Sequence, residues 1–91
     1  CISGEIAFKV GNMMEKLASL HQVICITHLP QISGKGDYHY LVYKQIEEDT
    51  TTTTVKKLSG DERIVEIAKM LGGNKPTPVA IKNAKELLMK N

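Results

Sequence analysis

The apolar residues of the first twenty positions recur at helical spacing and predict one amphipathic helix over residues 4–20. Glu15 lies on the polar side of this helix. Ser3 precedes the first turn, where its hydroxyl can accept a hydrogen bond from a backbone N–H that has no helical partner. The positions that form the apolar stripe are Ile6, Val10, Met13 or Met14, and Leu17.

The run Val23–Ile26 is short, mostly β-branched and apolar at every position. Continuous apolarity predicts a strand that is covered on both faces, as in a parallel sheet between helices. A helix followed by a buried strand is half of an α/β unit, so the predicted fold class is α/β. Because one strand cannot form a sheet, we expect its neighbours to come from residues outside these 91 or from a second copy of the chain. Cys25 would be buried with this strand.

The middle of the chain predicts a turn of helix followed by a hairpin. Pro30 suits the first position of a short helix that begins after His28, because its missing N–H costs nothing there. Residues 38–46 and 51–58 are rich in Tyr, Val and Thr, which favour strands. The polar residues 47–50 between them predict the turn of a β-hairpin.

The last third predicts two helices. Ser59 and Glu62 have the spacing of a capping box, and Thr77 followed by Pro78 has the pattern of a second helix start. Each helix then shows a single apolar stripe. The stripe residues are Ile64, Ile67, Ala68 and Leu71 in the first helix, and Ala80, Ala84, Leu87 and Leu88 in the second.

Composition narrows the class of protein without naming a function. The chain has 91 residues, 42% of them hydrophobic and 24% charged, which is typical of one small globular domain. The net charge of +2 is too small to argue by itself for a nucleic-acid partner. Two cysteines do not make a disulfide framework and favour a cytoplasmic location, and no apolar run is long enough to span a membrane. The abrupt start without Met predicts a piece of a longer protein.

His28 is the best candidate for chemistry. It follows the predicted strand, and ligands of open α/β sheets bind outside the carboxyl ends of the strands. The alternative is a structural histidine whose ring bonds a nearby backbone group. No metal site is predicted, because the nearby Cys25 should point into the core and no cluster of further ligands accompanies it. His21 and His39 are expected to be surface histidines or to be held by ordinary hydrogen bonds.

The segment "CITHLPQIS", residues 25–33, closely resembles the switch segment of the RecN family, an SMC-like branch of the ABC-type ATPases that repairs bacterial DNA double-strand breaks. The likeness continues through nearly the whole chain and in the order of the family. The other segments that carry it are "ISGEIAFKVGNMMEKLA", "YHYLVYKQ", "ERIVEIAKMLGG" and "AIKNAKELL".

The resemblance implies a role for the first residues of the chain. Ile2, Ser3 and Gly4 match the D-loop, which in ABC-type heads follows the Walker B strand and crosses to the opposing subunit when two heads enclose ATP. The family usually has Thr-Gly before the Ile-Ser-Gly, whereas this chain has Cys1, to which we assign no role.

The resemblance also implies that His28 is the switch, or H-loop, histidine that contacts the γ-phosphate of ATP and helps to position the attacking water. Phosphoryl transfer depends mainly on positioning and on stabilising charge at phosphate oxygens, and an imidazole N–H can donate to such an oxygen. Thr27 would orient the backbone or the ring, and Gln31 would line the site or the subunit boundary.

Several parts of an ATPase head are absent from the sequence. There is no G-x-x-x-x-G-K-[ST] phosphate cradle, and the Walker B pair, the signature motif and the coiled coil are missing too. Residues 1–91 would therefore be the C-terminal lobe of a P-loop NTPase head of ABC/SMC-like type, running from the D-loop to the C-terminus. ATP and Mg²⁺ would act in the full-length protein, and the fragment alone is expected to be inactive.

The expected partners are the missing N-terminal lobe of the same head, a second head in a homodimer, and DNA; no membrane is expected. The exposed edge of an incomplete sheet also predicts self-association of the fragment. Two alternatives stay open: a stand-alone interaction or DNA-binding module without nucleotide chemistry, and a fragment of another ABC-type ATPase.

Overall fold

A computed structural model describes residues 3–89, which form four helices and one antiparallel hairpin. The predicted helices and the predicted hairpin are all present, with ends that differ from the expected ones by a few residues. Ile2 of the predicted D-loop lies outside the described residues. In chain order the elements are α1 (Gly4–Ala18), α2 (Pro30–Ser33), β1 (Tyr40–Glu47), β2 (Thr50–Lys57), α3 (Gly60–Gly72) and α4 (Pro78–Leu88).

The hairpin is paired along its full length. The register runs from Tyr40 opposite Lys57 to Glu47 opposite Thr50. The two residues between the strands have positive φ, 42° at Glu48 and 67° at the next residue, Asp49. Two consecutive residues of positive φ are typical of the type I′ turn, whose twist matches that of the flanking strands. The turn is thus tighter than the four-residue turn expected from the sequence.

The core of the molecule lies between α3 and α4. Ile67, Ala68 and Ala84 are fully buried there. The small side chains allow the two helices to approach closely, so that a Cβ added to Gly72 would lie 3.3 Å from the Cβ of Ala80. Partly buried apolar residues surround this centre, namely Ile64, Ile81, Leu87 and Leu88.

The face by which α1 packs differs from the predicted stripe. Its buried residues are Ala7 and Gly11, whereas the side chain of Met13 is 70% exposed and that of Leu17 is 53% exposed. A Cβ added to Gly11 would lie 3.2 Å from the carbonyl oxygen of Gln31. Small residues therefore let α1 pack directly on the backbone of α2, whereas of the predicted stripe only Val10 and Met14 are partly buried.

The prediction of a buried strand at Val23–Ile26 is wrong for this chain. The segment is not part of a strand, Ile24 and Ile26 are 84% and 97% exposed, and Cys25 is exposed as well. A strand acquires its hydrogen bonds and its covered faces from neighbours, and the hairpin is the only sheet in residues 3–89. The coarser expectation of a small α/β chain holds, with a two-stranded antiparallel sheet accompanied by helices.

Candidate functional site

The residues on either side of His28 form a short hydrogen-bonded turn. The hydroxyl of Thr27 accepts a hydrogen bond from the backbone N–H of Leu29, over 3.0 Å. Pro30 then begins α2 at the position where its missing N–H is harmless. The backbone around His28 is thus ordered by the Thr27–Leu29 hydrogen bond and by helix α2, which follows it. The His28 side chain itself is exposed to solvent.

Two of the predicted D-loop residues lie at the start of α1, beside a residue of the switch segment. The Ser3 hydroxyl caps the helix by accepting from the backbone N–H of Ile6, over 3.3 Å. A Cβ added to Gly4 would lie 3.4 Å from the amide nitrogen of Gln31. The structure therefore brings Gln31 against Gly4, and it joins the N-terminus of α1 to the helix that follows His28.

The other two histidines differ from His28. His21 is exposed, and the ring of His39 is half-buried and hydrogen-bonded, so both agree with the prediction of a surface histidine or one held by ordinary hydrogen bonds. Arg63 on α3 donates from Nε to Nδ1 of His39 over 2.8 Å, and the other ring nitrogen of His39 bonds the carbonyl oxygen of Ser33. Sequence reasoning did not find Arg63, because 24 residues separate it from His39 and no local pattern signals the contact.

The strongest electrostatic contact lies at the junction of β2 and α3. Lys56 forms an ion pair with Glu62, which raises the pKa of Lys56. The hydrogen bond from Lys56, together with hydrogen bonds from the backbone N–H and the hydroxyl of Ser59, lowers the pKa of Glu62 to about 2. The same carboxylate completes the predicted capping box of α3. The lowered pKa means that Glu62 stays charged at the start of α3. There its carboxylate accepts a backbone N–H that would otherwise lack a partner.

Three of the predicted site residues, Ser3, His28 and Gln31, carry side chains that can donate hydrogen bonds. An imidazole, a serine hydroxyl and a primary amide can each donate to an anionic oxygen. Within residues 3–89, no group of three or more His, Cys, Asp or Glu side chains is placed to hold a metal ion. Over the same part of the chain, no helix has the length and apolarity needed to cross a membrane.

The relatives of this chain include bacterial proteins that are named for DNA repair. The similarity is to DNA repair protein RecN of Rickettsia conorii (49% identity over 87 residues), of Vibrio cholerae (44% over 88 residues) and of Bacillus subtilis (39% over 87 residues). These matches cover 96–97% of the chain but only 15–16% of each relative. No family model matches the chain. The resemblance to the RecN family is confirmed, and the chain spans about one-sixth of the length of the RecN proteins that it matches.

Proposed function

We propose that this chain is the C-terminal lobe of the ATPase head of a RecN-type protein, which acts in the repair of DNA double-strand breaks by ATP-driven engagement of two heads. The observation that carries the proposal is the similarity to RecN over 96% of the chain at 39–49% identity. The whole protein would work in the cytoplasm, in association with DNA.

In this proposal His28 donates a hydrogen bond to the γ-phosphate of ATP and helps to position the attacking water. Three observations support this role. The ring is exposed, the turn that carries it is bonded by the Thr27 hydroxyl, and α2 follows immediately. A donor that is already in place when charge develops on a phosphate oxygen lowers the barrier without a cost of reorganisation.

Ser3 and Gly4 would form part of the D-loop, which reaches the second head of a homodimer. The contact of Gly4 with Gln31 supports this assignment, because it makes the D-loop and the switch segment parts of one packed unit. A movement of the opposing head against the D-loop would then displace Gln31, which lies three positions after His28.

ATP and Mg²⁺ are the cofactors of the proposed whole protein. The described residues fit only one edge of a nucleotide site, because they offer donors to phosphate oxygens but no group of acidic residues for Mg²⁺. The phosphate cradle and the Mg²⁺ ligands would come from the N-terminal lobe of the same head. When bound, ATP would supply the phosphoryl group, and the residues of this chain would orient its outermost phosphate.

The same lobe would supply neighbouring strands for Val23–Ile26. Val23–Ile26 presents apolar side chains to solvent, with Ile24 and Ile26 almost fully exposed. Strands on either side would cover these side chains and pair their backbone groups. His28 would then stand at the carboxyl end of a parallel strand, where ligands of such sheets bind.

The test is His28→Ala in a whole RecN-type protein that carries this segment. We expect the turnover of ATP to fall roughly 10²–10³-fold, as it does when one preorganised donor is removed, while ATP binding is retained. His21→Ala is the matched control, because His21 is also exposed but lies outside the switch segment. Normal turnover in the His28→Ala protein would show that the assigned role is wrong.

A further inference from the structure

The short helix α2 needs contacts with other elements to be stable in its position. It contains four residues, Pro30–Ser33, and it begins two residues after His28. A single helical turn is unstable in isolation, because its nucleation fixes several backbone angles for few hydrogen bonds. The orientation of the backbone after His28 therefore depends on what holds α2 from outside.

Two glycines allow α1 and α4 to hold α2 from different elements of the fold. Gly11 of α1 is buried, and a Cβ there would lie 3.2 Å from the Gln31 carbonyl oxygen. Gly34, which ends α2, is also buried, and a Cβ there would lie 2.6 Å from the carbonyl oxygen of Leu87 in α4. A side chain at Gly34 would thus require a backbone shift, so α2 is packed tightly against α4.

A third contact reaches α2 from α3 through polar atoms. Arg63 donates from Nε to Nδ1 of His39 over 2.8 Å and from its terminal nitrogen to the carbonyl oxygen of Gly36 over 3.2 Å. Because Nδ1 accepts from Arg63, the ring hydrogen of neutral His39 is on Nε2, where it donates to the carbonyl oxygen of Ser33. One neutral tautomer therefore satisfies both ring nitrogens and connects α3 to the last residue of α2.

We infer that Arg63 and His39 are positioning residues for the switch segment: the relay from the guanidinium through the imidazole to the Ser33 carbonyl sets the orientation of α2 and so of His28. This inference rests on the proposed function, since the orientation of His28 affects turnover only if His28 contacts the γ-phosphate of ATP. Neither residue needs to touch ATP. Loss of the relay removes a polar restraint on α2, whereas the close packing at Gly11 and Gly34 does not involve His39 or Arg63.

The experiment compares His39→Leu and Arg63→Met with His39→Gln in the whole RecN-type protein. Leu removes both ring contacts, whereas Gln keeps one acceptor and one donor on a side chain long enough to restore part of the relay. We expect His39→Leu and Arg63→Met to lower kcat for ATP hydrolysis about 10–100-fold with KM within about twofold, because displacement of a catalytic group costs turnover rather than binding. His39→Gln should recover part of the loss.

The control is His21→Leu, which makes the same substitution at an exposed histidine and should leave kcat unchanged. Hydrogen exchange adds a second readout, with faster exchange expected at the Gly34 amide, which bonds the Pro30 carbonyl over 2.9 Å, and unchanged exchange in α4. Unchanged kcat in His39→Leu and Arg63→Met, or loss of protection throughout α3 and α4, would overturn the inference. If these variants keep normal turnover while His28→Ala loses it, the positioning role fails and the proposed function stands.

Discussion

The two ends of this chain differ in how far their apolar side chains are buried. Helices α3 and α4 bury their alanines and Ile67 against each other, so each helix finds its partner within 30 residues of sequence. The region from α1 to Ile26 instead leaves large side chains such as Leu20 and Ile24 85% and 84% exposed. Apolar patterning alone therefore does not show whether a segment is covered by the rest of its own chain.

Truncation of one isoleucine in each region should affect the stability of the chain very differently. Ile67→Ala should lower the free energy of unfolding by about 2–5 kcal/mol, because it leaves a cavity at the centre of the core. Ile26→Ala is the matched control, and it should change the stability by less than about 0.5 kcal/mol, since that side chain is 97% exposed. Urea unfolding followed by circular dichroism measures both. Equal losses in the two variants would mean that Ile26 is buried in solution.

The exposed region can also be tested through self-association, because Ile24 and Ile26 present apolar side chains to solvent. A wide apolar patch on a soluble chain favours contact between copies. We expect the 91-residue chain to associate as its concentration rises, and the double substitution of Ile24→Ser and Ile26→Ser to weaken that association several-fold. Light scattering over a hundredfold range of concentration gives the measurement. A chain that remains monomeric throughout would contradict the prediction.

The smallest expected effect concerns the acid sensitivity of the packed end. The pKa of Glu62 is lowered from 4.5 to about 2 in the folded chain, so its charged form stabilises folding above about pH 4.5. This contribution should be lost as the pH falls from about 4.5 to 2, where the folded carboxylate becomes protonated. In Glu62→Gln the stability should vary less across this interval, whereas Glu86→Gln on α4 should behave as the parent chain does. Thermal unfolding at a series of pH values tests the sign.

Local signals in the sequence predicted the local parts of the fold. The serine and threonine caps at Ser3, Ser59 and Thr77 all accept the expected backbone N–H, because a cap depends on residues only three positions away. The hairpin was predictable for the same reason. The strand predicted at Val23–Ile26 is not formed in the described residues, since strand pairing depends on neighbours that periodicity cannot identify.

In the candidate site, too, local features were predictable from the sequence and long-range contacts were not. The resemblance of "CITHLPQIS" to RecN pointed to His28, and the sequence showed that Pro30 would start a helix immediately after it. The residues that hold that helix in place are visible only in the structure, because Gly11, Arg63 and Leu87 are distant in sequence from α2. Even the packing face of α1 was mispredicted, since the close approach uses a glycine rather than the larger apolar residues.

Five consecutive threonines, Thr50–Thr54, make up most of β2. A homopolymeric run cannot distinguish one alignment with β1 from another two residues away, because the same side chains would face the same sides. The alignment must therefore be imposed from the ends of the run, by the tight turn at Glu48 and Asp49 and by the pairing of Val55 with Val42. Loss or gain of a single threonine codon would force these two anchors to compete, whereas a substitution inside the run would leave both intact.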